Sequence, residues 1–219
     1  QYQPSAPTIQ EELEKAISRF TTECVRVSGA GRTDAGVHAK GQVVAFDTES
    51  KHLPGVFVRA LNFYLPDDIA VNAAYRTGED FDPRRMALSR RYRYSILNDT
   101  TPSPLARWNS SLVREHLSIP KMRGAARLLE GSHDFARFAG PLEDGSASTV
   151  RDMYKVKIGK TGERVRIDIE GSSFLPHQVR RMAGALVDVG RGKLTQEELR
   201  SIVDGGNGKA VAHALPPHG

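Results

Sequence analysis

Between Tyr154 and Gly171, apolar and charged side chains alternate along the chain. Tyr154, Val156 and Ile158 alternate with lysines, and Val165, Ile167 and Ile169 alternate with Arg166, Asp168 and Glu170. A period of two sends successive side chains to opposite faces of an extended strand. Two such runs, with a turn at Gly159 to Gly162, predict an antiparallel hairpin with one apolar and one charged face. A chain with such a hairpin cannot be an all-helical bundle, and its apolar face needs another layer to cover it.

Segments with helical spacing supply that layer. In "PTIQEELEKAISRF", Ile9, Leu13, Ile17 and Phe20 share one face, with Thr8 as N-cap and Glu11 completing a capping box. Further helices are predicted over 55–65, stopping at Pro66, and in "IPKMRGAARLLEGSHDF", ending at Gly131. Two more are predicted in "LPHQVRRMAGALVDVG" and "TQEELRSIVDGG", where Thr195 and Glu198 repeat the capping box. Strands are predicted in "ECVRVSG", "GQVVAFDT" and "IAVNAAYRT", and in "RRYRYSILN", where Tyr92, Tyr94 and Ile96 face one way. The stretch 140–149, "GPLEDGSAST", reads as a mobile loop. The order of elements predicts an α+β chain in two halves, 1–88 and 89–219, with antiparallel-type strands in each.

The 219 residues are 39% apolar and 26% charged, enough to bury a sizeable core. No apolar run reaches the roughly 18 residues of a membrane span, and no basic-then-apolar leader is visible. Cys24 is the single cysteine, which excludes a disulfide framework and makes the cytoplasm the expected compartment. Its place before an apolar strand position suggests packing rather than nucleophilic chemistry. The net charge of +5 suits a polyanionic partner. Arginines cluster at Arg84-Arg85, Arg90-Arg91-Arg93 and Arg180-Arg181, and Tyr92 and Tyr94 lie inside the second cluster. Arginines interleaved with aromatics suit phosphate contact and base stacking, although tyrosines in a strand also serve as packing.

The stretch "GAGRTDAGVHAKGQ", residues 29–42, sets Arg32, Thr33 and Asp34 among glycines and alanines, in a loop between two predicted strands. Small neighbours let backbone approach a ligand. Arg32 and Asp34, two apart, can pair or frame one site, and a neighbouring guanidinium favours an ionised carboxylate. The same pair can equally pin a loop. Other chemistries lack their signatures. The seven histidines are scattered without metal-ligand spacing, and neither a phosphate loop nor a dinucleotide fingerprint nor a serine elbow is present. His38 reads as a loop hydrogen-bonder, and His177, beside Pro176, as a polar group at a helix start that can also meet a ligand.

"GAGRTDAGVHAKGQVVAF" closely resembles the signature loop of the TruA-type tRNA pseudouridine synthases. Five further stretches are similar to that family, in family order. "TIQEELEKAI" is similar to its first helix, and "LNFYLPDDIAV" to its Asn-x-x-Leu-Pro-x-Asp-Ile-x-Val segment. "RRYRYSILN" resembles its Arg-Tyr-x-Tyr strand, and "LEGSHDFARF" its Leu-x-Gly-x-His-Asp-Phe-x-x-Phe turn. "SSFLPHQVRRMAGALVDVGRGKLT" resembles its Phe-Leu-x-His-x-Val-Arg-x-Met-x-Gly segment. Pro176 and Gln178 depart from the family's usual residues there and flank Arg180. The chain starts at "QYQPSAPT", where the family's opening strand would end, and stops at "LPPHG", before its closing strand, which fits either a trimmed chain or one seen only in part.

The resemblance implies isomerisation of uridine to pseudouridine at three neighbouring positions, 38–40, of the tRNA anticodon arm, without cofactor or metal. It implies Asp34 as the catalytic aspartate and Arg180 as its basic partner. Tyr92 would stack on the target base and is a candidate general base. Arg32 would hold or flip the nucleotide, with His38, Arg90 and Arg91 as further substrate contacts. The implied fold is two similar α+β halves whose antiparallel sheets join into one larger sheet. Helices pack on its outer face, and a basic cleft lies between the halves. The implied assembly is a homodimer that binds tRNA. The rivals are a non-catalytic RNA-binding module of the same fold and a cofactor-free nucleosidase using paired carboxylates, for which Asp47 and Glu49 are the available partners.

Overall fold

The computed structural model describes residues 3, 6–142, 148–205 and 213–219. Residues 143–147 of the predicted loop, and Gly206 of the last predicted helix, lie outside the described residues. The chain divides into two compact units, one of Gln1–Thr33 with Ala39–Ala87, the other of Asp34–His38 with Leu88–Gly219.

The first unit contains α1 (Ile9–Thr21), β1 (Ser28–Gly29), β2 (Val44–Ala45) and α2 (Pro54–Tyr64). Thr8 caps α1 by accepting from Glu11 N at 3.2 Å, but the Glu11 carboxylate goes to Lys15 at 2.8 Å, so half of the expected capping box forms. Leu13 and Ile17 on α1 bury against Phe57 and Leu61 on α2, and Phe20 meets Phe57 edge-on at 5.1 Å. The strands predicted on either side of the glycine-rich loop shrink to two residues each, paired antiparallel. Side chains take over the backbone groups that a neighbouring strand would serve. Glu14 accepts from Val27 N at 3.1 Å, and Gln42 donates to Gly31 O at 2.7 Å. The strand predicted over "IAVNAAYRT" is absent among the described residues. The Asn62 amide clamps Val71 on both sides, at 2.7 and 2.9 Å, in place of a ladder. Cys24 is exposed rather than packed.

The second unit is a five-stranded mixed sheet under three helices. Its strands are β3 (Arg90–Asn98), β4 (Ser111–Val113), β5 (Gly131–Asp134), β6 (Val150–Thr161) and β7 (Arg164–Gly171), in the order β4-β3-β7-β6-β5. All neighbours are antiparallel except β3 and β4, which run parallel. Parallel pairing corrects the expectation of antiparallel strands alone, and β4 is too short to carry a period. The mixed α and β organisation is the one expected. Among the described residues, however, the strands form this sheet and a separate two-stranded one, not one joined sheet.

The predicted hairpin is β6–β7, and its details differ in two places. Thr161 pairs with Arg164, so the turn is Gly162-Glu163 alone, with Gly162 at φ 56° as a two-residue hairpin turn demands. A bulge between Met153 and Lys155 leaves Tyr154 unpaired and exposed and turns Met153 inward instead. Beyond it, Val165, Ile167 and Ile169 are completely buried. They share one buried core with residues of α3 (Ile119–Leu128), α4 (Gln178–Arg191) and α5 (Gln196–Val203), the last of which packs on α3. Helix α3 ends before the predicted Gly131, which starts β5 at φ 107°. The capping box of α5 is complete. The other face of the sheet carries charge pairs, Arg93 with Asp168 at 2.6 Å and Arg91 with Glu170 at 2.8 Å.

Candidate active site

The residues that converge all belong to the second unit, and the first of them is Asp34. Val37 N donates to Asp34 O at 3.1 Å, closing a four-residue turn. The third residue of that turn is Gly36, at φ 83°, a conformation open to glycine and strained for other residues. A Cβ there would also sit 3.2 Å from Pro217 Cγ.

Arg180, in the first turn of α4, donates from Nη1 to Asp34 Oδ2 at 2.6 Å across 146 residues of sequence. The bond is charge-assisted at both ends. The same guanidinium donates from Nε to Leu215 O at 2.6 Å. Gln178, fully buried, accepts from Leu175 N at 2.8 Å, so this departure from the family pattern serves the start of α4 and leaves Arg180 in reach of Asp34.

His177 is the N-cap of α4, yet its side chain makes no capping bond, and its backbone is left-handed at φ 59°. That conformation is unusual for a residue with a Cβ. Its Nε2 lies 3.7 Å from Asp34 Oδ1, just beyond hydrogen-bond distance. Arg180 therefore holds one carboxylate oxygen and His177 flanks the other. Asp34 keeps 33% of its side-chain surface exposed, so the carboxylate can be reached from solvent.

Tyr92 stands on β3 with its ring edge-on to Phe174 at 5.0 Å. Burial pushes its phenol above the ordinary range, the charge of Asp34 pushes it the same way, and Arg90 opposes both. At neutral pH the group is a phenol and not a phenolate. Arg90, two residues earlier on the same face, donates to Ser172 O at 2.7 Å. A carboxylate paired with a guanidinium beside a half-buried aromatic face suits attack on, or proton removal from, a planar heterocycle with its sugar.

Residues 1–84 and 125–219 match the sequence profile of the family described as tRNA pseudouridine synthase. The tRNA pseudouridine synthase A of Geobacter sulfurreducens is 43% identical over the whole of this chain and 89% of its own length. Those of Geotalea daltonii and Myxococcus xanthus are 41% and 40% identical, again over all of this chain and 89% and 83% of theirs. The chain belongs to the tRNA pseudouridine synthase family.

Of the synthase residues named from sequence, the structure brings Asp34, Arg180 and Tyr92 together, with Arg90 beside them. Arg91 points to the opposite face and pairs with Glu170. His38 bonds through Nε2 to Trp108 O at 2.7 Å, anchoring the loop at its far end. Arg32 is exposed and belongs to the first unit. The direct Arg32–Asp34 pair, open from spacing alone, gives way to Arg180. Sequence reasoning left the roles of Phe174 and Leu215 unread. Phe174 lies inside the segment that resembles the family around Arg180, whereas Leu215 acts through its carbonyl, which no side-chain pattern records.

Proposed function

We propose that this chain isomerises uridine to pseudouridine in tRNA, with Asp34 as the catalytic carboxylate. The observation that carries the reading is the 2.6 Å bond from Arg180 to Asp34, which joins a loop and a helix start far apart in sequence, beside Tyr92. The similar proteins from three bacteria are named for this activity on tRNA.

The reaction breaks the bond between ribose C1′ and uracil N1, turns the base, and joins C1′ to C5. The C5 proton then leaves and N1 gains one, so atoms balance without a second substrate. Asp34 meets the glycosidic centre as the ionised group. Arg180 fixes its orientation and offers a positive charge as electron density moves. The flipped uracil stacks on Tyr92. Because that phenol stays protonated, it takes the C5 proton only while passing its own to water or to the base. Flipping the base out of an RNA arm costs a few kcal/mol. Arg32 fills or holds the gap, and Arg90, Arg91 and His38 contribute contacts to the RNA.

The finer reading follows the family resemblance. The targets are uridines 38–40 of the anticodon arm, the enzyme acts as a cytoplasmic homodimer, and residues 1–88 and 89–219 are its two α+β halves. Among the described residues no helix is long and apolar enough to cross a membrane. The test is tritium release from tRNA labelled at uracil C5, for the parent and for Asp34→Asn. The parent releases label and the variant is slower by roughly a thousandfold or more. Release of free uracil would point to a nucleosidase, and binding without release to an RNA-binding module.

A further inference from the structure

Tyr94 and residues 213–217 lie behind Arg180, and none of the chemistry above uses them. Leu215 is buried in the main core. It meets Arg180 twice, donating from its N to Arg180 O at 3.3 Å and accepting at its O from Arg180 Nε at 2.6 Å. One residue on, Pro216 O accepts from the Tyr94 hydroxyl at 2.8 Å. The segment is also held from two other sides. Pro217 rests against the Gly36 turn that carries Asp34, and His213 O lies where a Cβ on Gly184 of α4 would come within 2.7 Å.

The hydroxyl of Tyr94 is the unexpected feature. The residue is 3% exposed, so a phenylalanine would fill the space with no polar group to satisfy. Burial pushes the phenol up to about 12, against the Ser111 side chain and the Arg180 charge, so it is a donor at neutral pH. A guanidinium is planar, and fixing Nε sets which way Nη1 points. Proline at 216 stiffens the link between the Tyr94 anchor and the Leu215 carbonyl, since it restricts its own φ and the residue before it.

We propose that Tyr94 is a positioning residue: its hydroxyl fixes Pro216, so that the adjacent Leu215 carbonyl holds the Arg180 guanidinium in the plane that meets Asp34. The inference rests on the reading of Asp34 and Arg180 as the catalytic pair.

The experiment is a double-mutant cycle on single-turnover tritium release, with tRNA affinity measured in parallel. Arg180→Lys keeps a positive charge but has no Nε–H to engage Leu215. Tyr94→Phe is expected to slow release about tenfold with tRNA affinity unchanged within about twofold, as for a misaligned reacting group. In the Arg180→Lys background the same change should alter the rate by less than about twofold, since the contact it supports is already gone. Gly184→Ala, which presses on His213 from the other side, should reproduce both results. A parental rate in Tyr94→Phe, an effect on affinity alone, or an equal loss in both backgrounds overturns the inference and leaves the synthase reading standing. A parent that releases no tritium overturns both.

Discussion

The two units are stabilised in different ways. In the second, the ladder of β3, β7 and β6 is long, and completely buried residues such as Ile167 and Ile169 sit on one face beneath three helices. In the first, two strands of two residues pair, and Glu14, Gln42 and Asn62 serve backbone groups with their side chains. A regular ladder repeats one local solution along its length, whereas a side-chain clamp is a separate solution at each site. The candidate catalytic residues sit on the unit with the extended core, and the segment Asp34–His38 clusters with it although the chain on either side of that segment does not. Reactive groups that must hold a fixed geometry benefit from rigid support.

The contrast is open to attack by mutation. The largest effect is expected in the main sheet. Ile167→Ala, at a residue with no exposure, should cost about 2–5 kcal/mol in denaturant unfolding. Val44→Ala, on β2 and 37% exposed, should stay within about 0.5 kcal/mol. Similar losses at both sites would erase the distinction. Next comes Arg180→Ala, which separates function from stability inside one unit. Its single-turnover rate should fall roughly 100- to 1000-fold, while the melting temperature moves little because Asp34 stays partly solvated.

Alkaline pH supplies the third test. Tyr94 has an ordinary value of 10.0 and is pushed up to about 12 by burial. The folded state therefore favours the neutral phenol. Its contribution is complete below pH 10 and is lost as pH rises from about 10 through 12, at most about 3 kcal/mol. Against the non-titrating Tyr94→Phe, the parent should lose stability over that window in thermal melts, and a difference that stays constant with pH would count against the assignment. The smallest effect concerns helix caps. Thr195→Ala, which breaks a complete capping box, should cost about 1 kcal/mol, and Thr8→Ala, with half a box, less.

These differences also explain what could be read from sequence. The β6–β7 hairpin, the α-helices among the described residues and the inward face of β3 were legible because each repeats a period over several residues. The bulge at Tyr154 was not, since one inserted residue shifts the faces without changing the composition around it. The strand expected at 23–29 shortened to Ser28–Gly29 and the one expected at 69–77 did not form among the described residues, because extended propensity does not reveal whether a neighbouring strand or a side chain will satisfy the backbone. In the site, Asp34, Arg180 and Tyr92 were reached through family resemblance, which carries long-range pairing that spacing lacks. Spacing alone left the direct Arg32–Asp34 pair open and gave no sign of Arg180. The left-handed His177 and the Leu215 carbonyl depend on backbone geometry, which side-chain patterns leave unwritten.

The central claim is that the carboxylate at position 34 converts uridine within intact tRNA. Unmodified tRNA can be incubated with the parent or with Asp34→Asn, digested to nucleosides and resolved by chromatography, with melting curves confirming that both proteins are folded. The account predicts a pseudouridine peak from the parent and none above background from the variant. Equal peaks from the two folded proteins would contradict it.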